Sequence, residues 1–126
     1  MKLNNIRIKV TSRSFSRHPI LKQELLELFP NSVLNTDGPL TGLPNIVEFL
    51  KDADGVILGL EEMDRHVLQQ LENVKIIAKY GVGLDNLDVS SAEELGITIG
   101  WTGGMNKRSA SEQALGFMLG LSRNLF

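Results

Sequence analysis

With 126 residues, 42% of them apolar and 22% charged, the chain is long enough for one hydrophobic core and short for two domains. A net charge of −2 gives no footprint for nucleic acid or an anionic membrane, and no apolar run approaches the ~18–20 residues of a membrane span. Zero cysteines exclude disulfides, thiolate metal sites and cysteine nucleophiles. The opening MKLNNIRIKV lacks the apolar core of a signal peptide, and the whole profile leads us to expect a cytoplasmic protein.

In chain order, IRIKV (Ile6 to Val10) alternates apolar and basic residues and predicts a first strand, nearer a sheet edge than its centre. RHPILKQELLELFP follows with Leu21, Leu25, Leu26 and Phe29 at helical spacing and Pro30 as a stop. SVLN is a short second strand, NTDGPLTG a loop of turn formers, and PNIVEFLKDA a short helix with Ile46, Val47 and Leu50 inward. GVILGL is a continuous apolar run, the signature of a strand covered on both faces. MDRHVLQQLENV is a helix with Met63, Val67, Leu68 and Leu71 as its buried stripe, and VKIIAKYG is the fourth strand. DVSSAEELG predicts a helix capped by Asp88 and stopped at Gly96, and ITIGW is the fifth strand. SASEQALGFMLGLSRNL is a last helix, opened by Ser109 and Glu112 in capping-box spacing.

Five strands separated by helices predict an α/β domain: a flavodoxin-like, doubly wound, five-stranded parallel sheet ending in a long helix. That helix is apolar nearly all round. Its glycines, Gly116 and Gly120, each cost ~1 kcal/mol against alanine, which close approach by another backbone would offset. It either packs on its own sheet or is covered by something beyond this domain; left bare, it invites dimerisation or aggregation.

Gly81-Val82-Gly83, at the end of the fourth strand, begins like a dinucleotide loop. The third glycine of G-x-G-x-x-G is replaced by Asn86, the helix starts only near Val89, and no acidic residue stands ~20 residues on. It is therefore not a dinucleotide loop. It is either a tight turn or a nest of main-chain N–H groups that holds an anion, such as a carboxylate, at the carboxyl edge of the sheet. GWTGGMNKRSASE follows the fifth strand to the same edge, with Gly103-Gly104, Asn106, Lys107 and Arg108. It reads either as a second anion site at a helix N-terminus or as a polar loop with a cap.

KYGVGLDNLDVSSAEELGITI followed by TGGMNKRSASEQALGFMLGLSRNLF resembles the D-isomer-specific 2-hydroxyacid dehydrogenases. The family's G-V-G-x-D-N-x-D is matched by Gly81, Val82, Gly83, Asp85, Asn86 and Asp88. Its T-P-G-x-N-x-x-S-x-A-E is matched by Thr102, Gly104, Asn106, Ser109 and Glu112, with Gly103 in place of proline and Ser111 in place of alanine. The match is strong over about residues 75–126 and one of layout before that.

The resemblance implies a substrate-binding domain over residues 1–108 and an interdomain helix over 109–126, leading to an NAD-binding domain outside this chain. It implies that the amides of Val82 and Gly83 hold a substrate carboxylate, with Tyr80 nearby. Asn106 would point into the same cleft, against both substrate and cofactor, and Val82 would border the cofactor, NAD or NADP. Tyr80 and Leu58 fall near the cleft by topology. The complete enzyme, phosphoglycerate dehydrogenase-like, would pass a hydride between the nicotinamide and a small 2-hydroxy or 2-oxo acid, working as a homodimer. The family's arginine, glutamate and histidine lie in the cofactor domain, so no catalytic residue is assigned here and the chain alone should be inactive. His18 and His66 are expected to be structural or exposed, and no metal site is expected. The rival is a free-standing carboxylate-binding or regulatory module without catalysis. A phosphoacceptor receiver is discounted, because TSRSFS and GLEEMD stand where its acidic residues belong.

Overall fold

The computed structural model describes residues 3–40 and 42–125; Thr41, inside the expected turn-rich loop, and Phe126 lie outside them. Five strands form one parallel sheet: β1 (Ile8–Val10), β2 (Val33–Leu34), β3 (Gly55–Leu58), β4 (Ile76–Lys79) and β5 (Thr98–Gly100). Their order is β2-β1-β3-β4-β5, the flavodoxin-like arrangement, with its switch point between β1 and β3. Between the strands run α1 (Arg13–Arg17), α2 (Pro19–Leu28), α3 (Leu43–Leu50), α4 (Arg65–Leu68) and α5 (Val89–Glu94). A long α6 (Lys107–Ser122) ends the fold.

The register explains the two cores. In parallel pairing, partnered residues share a face, and Ile8 pairs with Gly55, Val10 with Ile57 and Val56 with Ile77. Ile8, Val10 and Ile57 therefore point together to one face and meet Phe15 of α1 and Leu25 of α2. Val56, Leu58 and Ile77 point to the other, where α3, α4 and α5 supply Ile46, Leu50, Val67, Leu68 and Ala92. Gly55–Leu58 of GVILGL is thus covered on both faces, as the unbroken apolar run predicts, whereas Leu60 beyond the strand is exposed. The first of these faces is not covered to its end: Ile76 and Thr98 remain exposed on β4 and β5, with Ala78 and Gly100 half-buried beside them.

Four expectations change. First, β1 is interior, between β2 and β3, although its alternation with basic residues suggested an edge. Lys9 is only 8% exposed: its ammonium donates to Asp52 and, at 2.6 Å, to the Phe49 carbonyl, and it sits 5.4 Å from the Phe49 ring centroid. A distant carboxylate makes burial of the lysine tolerable. Second, TSRSFS forms the extra helix α1, because the Ser12 hydroxyl caps it by accepting from the Phe15 N–H at 3.3 Å. Third, α6 starts at Lys107, two residues before the expected Ser109, and no capping box forms. Asn106 is the flanking residue, and Glu112 instead pairs with Arg108 at 2.8 Å. Fourth, of the two arrangements left open for α6, packing on its own sheet is the one the structure removes. Every described residue in it except Gly120 is exposed, and a side chain grown at Gly116 would meet nothing within 4 Å.

The Lys9–Asp52 pair makes an asymmetric prediction. The Lys9 hydrogen bond chiefly holds the Asp52 carboxyl below its ordinary value of 3.8. A lowered carboxyl stabilises the fold above its unfolded pKa and loses that contribution as pH falls through the folded one. Asp52→Asn leaves a buried ammonium without its counter-charge, whereas Lys9→Met leaves a carboxylate that water can reach. We expect Asp52→Asn to cost more stability in urea titrations at pH 7, with the deficit shrinking as pH falls below the ordinary carboxylate value of 3.8. Equal losses for both variants, unchanged by acid, would contradict this account.

Candidate functional site

The carboxyl ends of β1, β3 and β4 meet in a dense polar network. Thr11, following β1, is completely buried and donates its N–H to the Ile57 carbonyl at 3.0 Å. Its hydroxyl accepts from the Gly59 N–H at 2.9 Å and donates to the Glu61 carboxylate at 2.6 Å. The Gly59 carbonyl in turn accepts from the Lys79 ammonium and from the Asn86 amide at 3.1 Å. Asn86 also donates to the Glu61 carbonyl at 2.6 Å, while its own carbonyl accepts from the Met63 N–H at 2.8 Å. The turn after β3 is thereby tied to the turn after β4.

Asp88 has a similar scaffolding task. Its carboxylate accepts from the Ser91 hydroxyl and from the Ser91 N–H at 2.9 Å, capping α5. The bonds from Ser91 hold the Asp88 carboxyl below its ordinary value. The asparagine and the last aspartate of G-V-G-x-D-N-x-D therefore hold the frame in which the glycines sit.

The N–H groups of the glycine loop that precedes them carry no such ties. Tyr80 still bonds to the sheet, its N–H donating to the Leu58 carbonyl at 2.8 Å. Gly81 then turns at φ +149°, which side-chain-bearing residues rarely adopt. No hydrogen bond joins the N–H groups of Gly81, Val82 or Gly83 to any other described residue. The Lys79 ammonium lies 3.8 Å from where a Cβ on Gly81 would sit. Burial lowers the pKa of that lysine, and the nearby carboxylates of Glu61 and Asp85 partly restore it. Three consecutive unpaired donors suit an anion such as a carboxylate, with the Lys79 cation beside Gly81 and the Asp85 carboxylate beside Gly83.

Of the residues expected at the site, Tyr80, Val82 and Gly83 share this loop. Tyr80 is 38% exposed and packs edge-on against Phe15, with ring centroids 5.3 Å apart. The apolar Val82 side chain projects into solvent beside it, 44% exposed. Leu58, placed near the cleft by topology, is instead wholly buried in the core, because its side chain falls on the α3/α4 face. Asn106 flanks the start of α6; its side chain neither caps the helix nor bonds to the Gly81–Gly83 loop. His18 is exposed and caps α2, its Nδ1 accepting from the Leu21 N–H at 3.4 Å, and His66 is exposed on α4. Among the described residues no three His, Cys, Asp or Glu groups gather as a metal site would need.

Three residues at this edge were not anticipated: Thr11, Lys79 and Trp101. Trp101 donates its indole N–H to the Val82 carbonyl at 3.2 Å. A tryptophan directly after a strand that ends at the same edge as the glycine loop was the available signal. A cavity of about 500 Å³ lies farther along the edge, between Pro39, Leu40, Ile46, Leu60 and Val67, and touches the network only through Glu61.

The loop's glycines do not make a dinucleotide site. The third glycine position is held by Asn86, whose side-chain amide N–H groups bond the β3 turn, where a dinucleotide loop needs a glycine for close packing.

Comparison with known proteins agrees with this geometry. The family model described as D-isomer specific 2-hydroxyacid dehydrogenase, catalytic domain, matches residues 14–116. The D-3-phosphoglycerate dehydrogenase of Methanocaldococcus jannaschii is 35% identical over 88 residues, 68% of this chain and 17% of that protein. The hydroxypyruvate reductase of Thermotoga maritima is 37% identical over 70 residues, 56% of this chain and 23% of that protein. Among solved structures, the NAD+-bound 3-phosphoglycerate dehydrogenase of Entamoeba histolytica superposes with a TM-score of 0.72 at 25% identity, covering 91% of this chain and 38% of that one. The chain therefore spans well under half the length of these relatives. No helix among the described residues is long and apolar enough to cross a membrane. Its matched residues, its sheet order and its glycine loop agree: the chain belongs to the D-isomer specific 2-hydroxyacid dehydrogenase family.

Proposed function

We infer that this chain is the substrate-binding domain of an NAD(P)-dependent D-2-hydroxyacid dehydrogenase of phosphoglycerate dehydrogenase type. Residues 1–108 form the domain, and 109–126 belong to an interdomain helix. The observation that carries this reading is the run of unpaired N–H groups at Gly81, Val82 and Gly83, exposed at the carboxyl edge with Lys79 beneath. These amides hold the carboxylate of a small 2-hydroxy or 2-oxo acid and so fix the position of its C2 carbon. Tyr80 closes one side of the substrate. Val82 and Asn106 border the nicotinamide of NAD or NADP, which accepts or returns the hydride when bound by the cofactor domain. The bare apolar residues of α6, including Leu115, Met118 and Leu121, fit coverage by that domain and by a second subunit of a cytoplasmic homodimer.

The division of labour is testable on the 126-residue chain. We expect a ¹⁵N-labelled sample titrated with D-glycerate or hydroxypyruvate to show shifts centred on Gly81–Gly83. The affinity should be weak, on the order of millimolar, since a few hydrogen bonds must offset the entropy of association. The same sample given NAD and D-glycerate should form no NADH. Shifts centred elsewhere would remove the carboxylate role, and NADH formation would show that this chain carries its own catalytic groups. Binding without any dehydrogenase activity in the full-length protein would favour a regulatory module instead.

A further inference from the structure

In family members proline usually stands where this chain has Gly103, and the structure shows what the glycine makes possible here. The indole of Trp101 lies directly against Gly103: a Cβ built there would come within 2.6 Å of Trp101 Cη2 and 2.9 Å of Cζ2. Contacts that short do not occur, so any side chain at 103 must push the ring away. In its observed place the ring has one polar anchor, the bond from its indole N–H to the Val82 carbonyl.

That bond acts on the atom that matters at the loop. The Val82 carbonyl and the Gly83 N–H belong to the same peptide plane. Every peptide bond in the described chain is trans, so the two groups point in opposite directions. Pinning the carbonyl to Trp101 therefore aims the Gly83 N–H away from the indole. Glycine on either side of Val82 would otherwise leave this plane free to rotate.

We propose that Trp101, seated against Gly103, is a positioning residue that sets the direction of the Gly83 N–H. Its use in substrate binding rests on the carboxylate role proposed above, but the aiming itself does not.

The test separates the two layers. Trp101→Phe keeps a ring but removes the donor. Gly103→Ala keeps the donor but displaces the ring, touching neither the loop nor its ligand. Without any ligand, ¹⁵N relaxation should show the Gly83 order parameter falling from ~0.85 toward ~0.6 in both variants, while the rest of the amide spectrum stays in place. Trp101 is the sole tryptophan, so its fluorescence and its single indole resonance report loss of the bond independently. D-Glycerate affinity should drop about three- to tenfold in each variant, and the double variant should be no weaker than Trp101→Phe alone. An unchanged Gly83 order parameter and amide orientation in Trp101→Phe would overturn the proposal, whatever the ligand does. So would additive losses in the double variant. If Gly83 loosens as expected but the wild-type chain ignores D-glycerate, the clamp stands and the carboxylate role falls.

Discussion

Gly83→Pro is expected to remove carboxylate binding from this chain while leaving its fold intact. Proline has no N–H, so the variant deletes one donor of the three-amide run. A hydrogen bond to a charged group contributes roughly 1.5–3 kcal/mol, which corresponds to about 10- to 150-fold in affinity. Gly83→Ala is the matching control. It retains the N–H, and its Cβ would press only on the Asp85 carboxylate, 2.9 Å away on an exposed and movable side chain. We expect titration with D-glycerate to show near-normal binding for the alanine variant and none for the proline variant. Equal binding by both would mean that the Gly83 amide is not a ligand, and the nest would reduce to a turn.

The largest stability effect is expected at Leu58. Its side chain is completely buried among α3 and α4 residues, and its carbonyl anchors Tyr80 at the root of the glycine loop. Truncation removes transfer free energy and leaves a cavity in the centre of the sheet, so Leu58→Ala should cost about 2–5 kcal/mol. For a domain of this size the midpoint of thermal unfolding should fall by on the order of 10 °C or more. Calorimetry decides between this and the topological expectation that Leu58 lines the cleft. A cleft residue would be partly hydrated already, and its truncation would shift the midpoint by little.

The fold was legible because local signals agreed with one another. The unbroken GVILGL run became the doubly covered β3, and Asp88 became the cap of α5. What was misread depended on which partner a side chain chose, near or far in sequence. The basic residues of β1 suggest an edge only to a reader who cannot see that Asp52 neutralises Lys9 from the end of α3. The capping-box spacing at Ser109 was real, but Glu112 found Arg108 on its own helix face, and α6 began earlier. Within the site, the motif named the right loop without revealing its internal division. Asn86 and Asp88 look as chemically capable as any ligand, yet the Asn86 amide N–H groups and the Asp88 carboxylate are already bonded to the scaffold. The clamp from Trp101 joins two strand ends through a ring contact with a glycine, which no periodicity announces.

The open face over β4 and β5 makes stability along the sheet unequal. β3, covered on both sides, belongs to the last unit to open, whereas β5 is a three-residue border strand with solvent on one face. Amides there open more readily than those of β3, and protection against hydrogen exchange should decline from β3 through β4 to β5. The glycine loop hangs from β4 and Trp101 from the end of β5, so both grow from the soft border of an otherwise rigid sheet.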